Sequence, residues 1–124
     1  MKRSLLMLGS MFGFFGVALG AFGAHGLKQL IPPEALTVFE TGVRYHMYHT
    51  FAILAAALLA EKQPKMAVAG RLFGIGIILF SGSLYALAVT GIRPLGMITP
   101  FGGVSFLAGW AFFFTASFKM QKGD

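Results

Sequence analysis

The residues in this sequence best suited to chemistry are three histidines. His46 and His49 are three residues apart and would share one face of a helix, and His25 stands at the end of an earlier apolar stretch. Three imidazoles could bind zinc or copper, and two on different helices could ligate a haem. However, the HxxH pair lacks the glutamate of HExxH, and the chain has no cysteine. We therefore predict no metal and no cofactor.

A proton-coupled role stays open, because histidine titrates near neutral pH and polar neighbours can tune it. Glu40, Arg44 and Tyr45 lie close to the histidine pair in sequence. The small four-helix drug exporters depend on a glutamate in the middle of their first span, whereas Phe12–Ala21 here contains no acid. The resemblance to those exporters is one of size only.

Serine nucleophiles are poorly supported by the sequence. Ser83 and Ser105 stand near glycines, but neither lies in a G-x-S-x-G motif. The glycines of the first apolar stretch do not form a nucleotide-binding loop, because no strand precedes them. The sequence therefore favours a protein that is not an enzyme.

Four long apolar stretches must position these side chains. Hydrophobic residues make up 56% of the 124 residues and charged residues 11%. Each stretch is close to the ~20 residues that a helix needs to cross a bilayer. The four are Leu5–Gly26, Tyr45–Ala60, Val68–Thr90 and Gly96–Phe118. We predict an all-α, integral membrane four-helix bundle that forms a single domain over residues 1–124.

The cations indicate the orientation of this bundle. The net charge of +6 lies at the ends of the stretches, so it does not suggest nucleic-acid binding. Cytoplasmic ends of membrane proteins are enriched in Lys and Arg. In a four-span arrangement seven cations fall on one side and three on the other, the three being Lys28, Arg44 and Arg93. We expect both termini in the cytoplasm, a fixed topology, and a first stretch that is retained rather than cleaved as a signal peptide.

Small residues recur four apart along the apolar stretches. Such GxxxG-like steps let helix backbones approach closely in lipid. The pairs are Gly9/Gly13, Gly16/Gly20, Gly70/Gly74 and Ser105/Gly109. They predict either tight packing within the chain, which we favour, or a homodimer interface.

Prolines mark the two external connections. Pro32-Pro33 ends one element and can begin the next, so the segment from Glu34 predicts a short interfacial helix running into the second span. On it, Glu40 and Arg44 have the favourable order for an ion pair. In the second connection, Pro100 with Gly102-Gly103 predicts a bend or a delayed start of the last helix.

The polar residues near the external ends of the spans form the candidate site. An ionisable group inside a span usually faces the bundle and has a partner. The set is His25, Glu40, Arg44, Tyr45, His49, Ser81, Ser83, Tyr85, Thr99, Pro100, Gly102 and Gly103. It could bind a small solute, a lipid headgroup or a proton-linked substrate, or it could be a structural lock in a scaffolding protein. We slightly favour the lock, with membrane lipids, a second copy or another membrane protein as partners.

Four motifs resemble one known family. They are GVALGAFGAH at residues 16–25, residues 41–50 around Tyr45 and His49, FSGSLY at 80–85, and TPFGGVSFLAGW at 99–110. Together they are similar to domain-of-unknown-function family 423, small proteins of the bacterial inner membrane. The resemblance implies that location but no activity. Its pattern matches His25, Tyr45, His49, Ser81, Gly82, Ser83, Tyr85, Pro100, Gly102, Gly103 and Trp110. The family commonly has Gln where this chain has His46, so the resemblance makes His25 and His49 the histidines to test.

Overall fold

The computed structural model describes residues 2–120, which are helical and contain no strand. The predicted all-α class is confirmed. Three helical segments in the described chain are long and apolar enough to cross a membrane, namely Arg3–Gln29, Lys65–Thr90 and Arg93–Phe118.

Residues 2–120 form five α-helices, most of them joined by short irregular helical turns. The helices are α1 (Arg3–Ala24), α2 (Pro33–Leu59), α3 (Lys65–Gly76), α4 (Gly82–Thr90) and α5 (Thr99–Phe118). A π-helical turn, Ile77–Ser81, joins α3 to α4, and 3-10 turns at Leu27–Gln29 and Arg93–Met97 precede α2 and α5. The helices α3 and α4 with the π turn therefore form one interrupted rod.

Helix α2 is longer than the predicted second span. Pro33 occupies its first turn, where the missing N–H costs nothing, and the helix continues without interruption to Leu59. The segment predicted to be an interfacial helix running into the second span is continuous with that span in α2. Glu40 and Arg44 are both exposed on it, and no ion pair joins these two side chains in the described structure. Polar side chains in its first half distinguish α2 from the three strongly apolar segments.

The glycines of α1 face α2. A Cβ placed on Gly9 would lie 2.7 Å from Leu54 Cδ2, and one on Gly20 would lie 3.3 Å from Val43 Cγ1. As the position rises along α1 the partner falls along α2, so the helices are antiparallel. The small-residue face of α1, Gly9, Gly13, Gly16, Gly20 and Gly23, is consequently covered by α2.

The other small residues pack within the chain as well. Gly70 and Gly74 on α3 face Leu5 and Leu8 of α1, and Gly109 on α5 faces Phe73 of α3. These contacts surround a core of buried apolar side chains. The core includes Leu5, Ile53, Phe73, Ile77 and Phe106.

Helix α5 approaches the π turn very closely at Gly102. A Cβ on Gly102 would lie 2.7 Å from the backbone Cα of Phe80, which leaves room only for hydrogen. Pro100 occupies the first turn of α5, and the helix runs on unbroken to Phe118. The predicted delay of the last helix is therefore observed, with a start at Thr99 rather than Gly96, and there is no bend at Gly102.

Candidate functional site

His46 connects three helices at the centre of the protein. Its Nε2 atom lies 2.7 Å from the carbonyl oxygen of Phe12 on α1, and its Nδ1 atom lies 2.8 Å from the hydroxyl of Tyr85 on α4. A carbonyl only accepts, so Nε2 carries the proton and donates to Phe12. In the neutral imidazole, Nδ1 then accepts from the Tyr85 hydroxyl. One imidazole thus links α1, α2 and α4.

Gly16 makes the contact between His46 and Phe12 possible. A Cβ at Gly16 would lie 3.2 Å from His46 Nε2 and closer still to the sulfur of Met47. Because Gly16 has no side chain, the imidazole reaches a main-chain carbonyl inside α1. The Phe12 ring then meets the imidazole edge-on, with ring centroids 5.7 Å apart.

His49 joins α2 to α5. The indole Nε1 of Trp110 donates to His49 Nε2 at 3.0 Å, and Nδ1 lies 2.7 Å from the carbonyl oxygen of Tyr45. Since Nε2 accepts, Nδ1 carries the proton and donates to Tyr45. The imidazole also stacks on Phe106, with centroids 3.6 Å apart and planes 8° from parallel.

These hydrogen bonds restrict what the two histidines can do. Both nitrogens of each imidazole are already engaged, and a second proton on His49 would point at the indole N–H of Trp110. Within residues 2–120, no three His, Asp or Glu side chains come together as metal ligands. The arrangement suits neutral histidines that hold helices in place.

Hydroxyl groups make the remaining links between helices. Ser81, in the π turn, donates to the carbonyl of Gly42 on α2 at 2.7 Å. Ser83 donates to the Phe80 carbonyl at 2.9 Å, so the Thr99 hydroxyl, 2.6 Å away, donates to Ser83 and ties α5 to α4. Ser105 on α5 donates to Leu72 on α3 at 2.7 Å.

We call the residues that form these hydrogen bonds between helices the internal polar cluster. It consists of His46, His49, Ser81, Ser83, Tyr85, Thr99, Ser105 and Trp110. Among the described residues, no buried side-chain nitrogen or oxygen lacks a hydrogen-bond partner. A network in which every member is paired stabilises a specific arrangement of helices.

The structure divides the predicted candidate site. Five of its members, His49, Ser81, Ser83, Tyr85 and Thr99, belong to the internal polar cluster. His25, Glu40 and Arg44 lie instead on the exposed surface. The structure thus brings five of the twelve predicted residues into hydrogen bonds inside the protein and leaves these three at its surface.

Three members of the cluster lie outside the predicted candidate site, namely His46, Trp110 and Ser105, the last of which was predicted as a helix-packing residue. His46 was set aside because the resembled family commonly has Gln there, and Trp110 was noted only as part of a motif. Antiparallel pairing of α1 with α2 places His46 opposite the glycine at position 16. A glycine on one helix that faces a histidine on the next leaves room for the imidazole, and this pairing was the available signal for His46.

A groove lies on the surface between α2 and α5. Its volume is about 690 Å³, and it opens outward. Four predicted site residues, Tyr45, His49, Pro100 and Gly103, line it, together with Tyr48, Phe80, Val104, Phe106, Leu107 and Trp110. His49 and Trp110 thus belong both to the internal polar cluster and to the lining of this apolar and aromatic groove.

Comparison with known proteins places the chain among membrane proteins. Residues 19–103 match the family model described as protein of unknown function (DUF423). The chain is 48% identical over 120 residues to the UPF0382 membrane protein YwdK of Bacillus subtilis, covering 94% of this chain and 98% of that protein.

Two further relatives extend the match. A UPF0382 membrane protein of Haemophilus influenzae is 48% identical over 98% of this chain and 99% of its own length. The UPF0382 inner membrane protein YgdD of Escherichia coli K12 is 38% identical over 98% of this chain and 94% of its own length. No solved structure matches the chain.

Proposed function

The chain belongs to the DUF423 family of membrane proteins, and we propose that it is a structural protein of the bacterial inner membrane. In this proposal α2 is a fourth membrane span, both termini are cytoplasmic, and the internal polar cluster locks the spans together. The protein then scaffolds its lipid and protein neighbours rather than catalysing a reaction.

The packing of α2 supports its assignment as a span. The three apolar segments are long enough to cross the bilayer, and α2 packs lengthwise against the first of them through Gly9 to Gly23. His46 and Ser81 connect α2 to the rod formed by α3, the π turn and α4. A helix held between spans lies at their depth, where its polar groups need partners inside the protein.

The observation that carries the structural role is the complete pairing of the internal polar cluster. A site for a polar solute needs donors or acceptors that are free to exchange partners with the ligand. In the described chain the buried polar side-chain atoms are all bonded within the protein. The alternative, a solute or proton-linked binding protein that uses this cluster, has less support from the geometry.

The outer surface supports a scaffolding role in lipid. Large apolar side chains cover it, including Phe14 at 71%, Leu107 at 71% and Phe114 at 72% exposure. Exposed apolar area of this extent would drive aggregation in water, whereas in a membrane it contacts acyl chains or neighbouring proteins. The proposal therefore takes membrane lipids, a second copy or another membrane protein as partners, and no nucleic acid.

A double-mutant cycle at His49 and Trp110 tests the lock. His49→Leu and Trp110→Phe each remove the bond between α2 and α5, so each variant should unfold at a lower temperature in detergent than the wild type. The double variant should lose less stability than the sum of the two, because both changes remove the same bond. Native mass spectrometry should show no small polar solute bound to the wild type.

Two results would contradict the structural role of the His49–Trp110 bond. If His49→Leu leaves the unfolding temperature unchanged and removes a co-purifying polar solute, the cluster is a binding site and the structural role is wrong. Strict additivity of the two losses would show that the indole–imidazole bond does not couple the helices.

A further inference from the structure

The groove between α2 and α5 has a different chemical character from the cluster behind it. Aromatic rings form much of its lining, with Phe80 and Phe106 at the base and the partly exposed rings of Tyr45, Tyr48 and Trp110 around them. The polar atoms of His49 are already engaged by Tyr45 and Trp110. Such a surface suits an apolar chain and offers little to a polar solute.

The length of the groove corresponds to one leaflet. Its lining on α5 runs from Pro100 to Trp110 through Gly103, Val104 and Leu107, which share one face of the helix. Ten residues at 1.5 Å per residue give about 15 Å. This is about half of the ~30 Å hydrocarbon core, so a single acyl chain of one leaflet fits along it.

A cation stands at one end of the groove. Arg44 is exposed and precedes Tyr48 by four residues, so it lies one turn away on the same side of α2. Arg44 is not part of the groove lining, but one helical turn before Tyr48 places it just beyond the end where Tyr45 and Pro100 lie and α5 begins. A guanidinium binds a phosphate through paired hydrogen bonds.

We propose that the groove binds an acyl chain of an anionic phospholipid, with the lipid phosphate at Arg44. The apolar lining selects the chain, and the adjacent cation selects the charge of the headgroup. This site goes beyond the structural role proposed above, because it uses the surface of α2 and α5 and not the bonds within the internal polar cluster.

The chain provides its own reporter for this proposal. Trp110 is the single tryptophan of the sequence, and it lines the groove. Bromine atoms on an acyl chain quench tryptophan fluorescence at contact distance. The protein in mixed micelles should therefore be quenched at a several-fold lower mole fraction of chain-brominated phosphatidylglycerol than of chain-brominated phosphatidylcholine.

Two variants separate the parts of the proposed site. Arg44→Gln should make the two brominated lipids equally effective, while Lys28→Gln, which removes another exposed cation, should keep the preference. Gly103→Phe should fill the groove and weaken quenching by both lipids several-fold. A Cβ at Gly103 meets only Phe80 Cδ2, at 4.0 Å, so the side chain can leave the helix toward the groove, and the unfolding temperature of this variant checks that the fold is kept. Gly82→Phe is the matched control, because a Cβ there meets nothing within 4 Å and Gly82 lies outside the groove.

Three results would overturn the lipid site. They are equal quenching of the wild type by both lipids, a phosphatidylglycerol preference that persists in Arg44→Gln, and a dimer in native mass spectra that Gly103→Phe dissociates without any change in quenching. The last result would assign the groove to a second copy. None of the three affects the structural lock, which is measured independently by the unfolding temperatures of the His49 and Trp110 variants.

Discussion

The histidines show what a sequence can reveal at the scale of single residues. His49 could be predicted to have a hydrogen-bond partner inside the protein, because an imidazole in an apolar helix needs one. The identity of that partner could not, since Trp110 lies 61 residues away. His46 depends even more on tertiary structure. Its acceptor is the main-chain carbonyl of Phe12 on α1. The imidazole on α2 reaches this carbonyl only because Gly16 of α1, which faces His46, has no side chain.

Removing the Tyr85 hydroxyl should weaken the protein. Tyr85→Phe leaves the buried Nδ1 of His46 without its donor, and a hydrogen bond between membrane helices contributes about 1 kcal/mol. We expect the free energy of unfolding in detergent to fall by about that amount. Tyr48→Phe is the control, because Tyr48 is exposed. Equal losses for the two variants would contradict the role given to the bond between Tyr85 and His46.

At the scale of elements, the sequence predicted the apolar helices well and their interruptions poorly. Hydropathy reports burial in lipid but not local winding, so residues 68–90 were expected to be one regular helix. The π turn at Ile77–Ser81 is where Ser81 bonds to α2 and where Phe80 meets Gly102 of α5. Such turns arise from packing between helices, which a local pattern does not contain. The start of α2 at Pro33 agrees with the helix predicted to begin there and to run into the second span.

Alanine substitution at two neighbouring glycines of α5 should affect stability differently. Gly102→Ala places a methyl group 2.7 Å from the Phe80 backbone, so a helix must move, and overpacking of this kind costs about 1–3 kcal/mol. Gly103→Ala meets only the Phe80 ring, at 4.0 Å, and should leave the unfolding temperature unchanged or slightly raised. Thermal unfolding in one detergent compares the two variants. A fully stable Gly102→Ala protein would show that α5 does not approach the π turn as described.

At the scale of the whole molecule, most of what could be predicted from the sequence came from its composition and the distribution of its charges. The apolar stretches and the lack of any sizeable polar segment indicated an all-helical membrane protein, and the relatives named as membrane proteins agree. The spanning role of α2 and the orientation of the termini remain proposals. The spanning role follows from the packing of α2 against the apolar segments. The orientation follows from the distribution of Lys and Arg along the sequence.

Cysteine accessibility in whole cells tests the central claim, that α2 crosses the membrane. The chain contains no cysteine, so single cysteines can be introduced without altering any Lys or Arg. Gln29→Cys precedes α2, Gln63→Cys follows it, and Ile92→Cys lies between α4 and α5. A membrane-impermeant maleimide should label Gln29→Cys and Ile92→Cys in intact cells, and Gln63→Cys only after permeabilisation. Labelling of Gln29→Cys and Gln63→Cys from the same side would show that α2 does not span the bilayer.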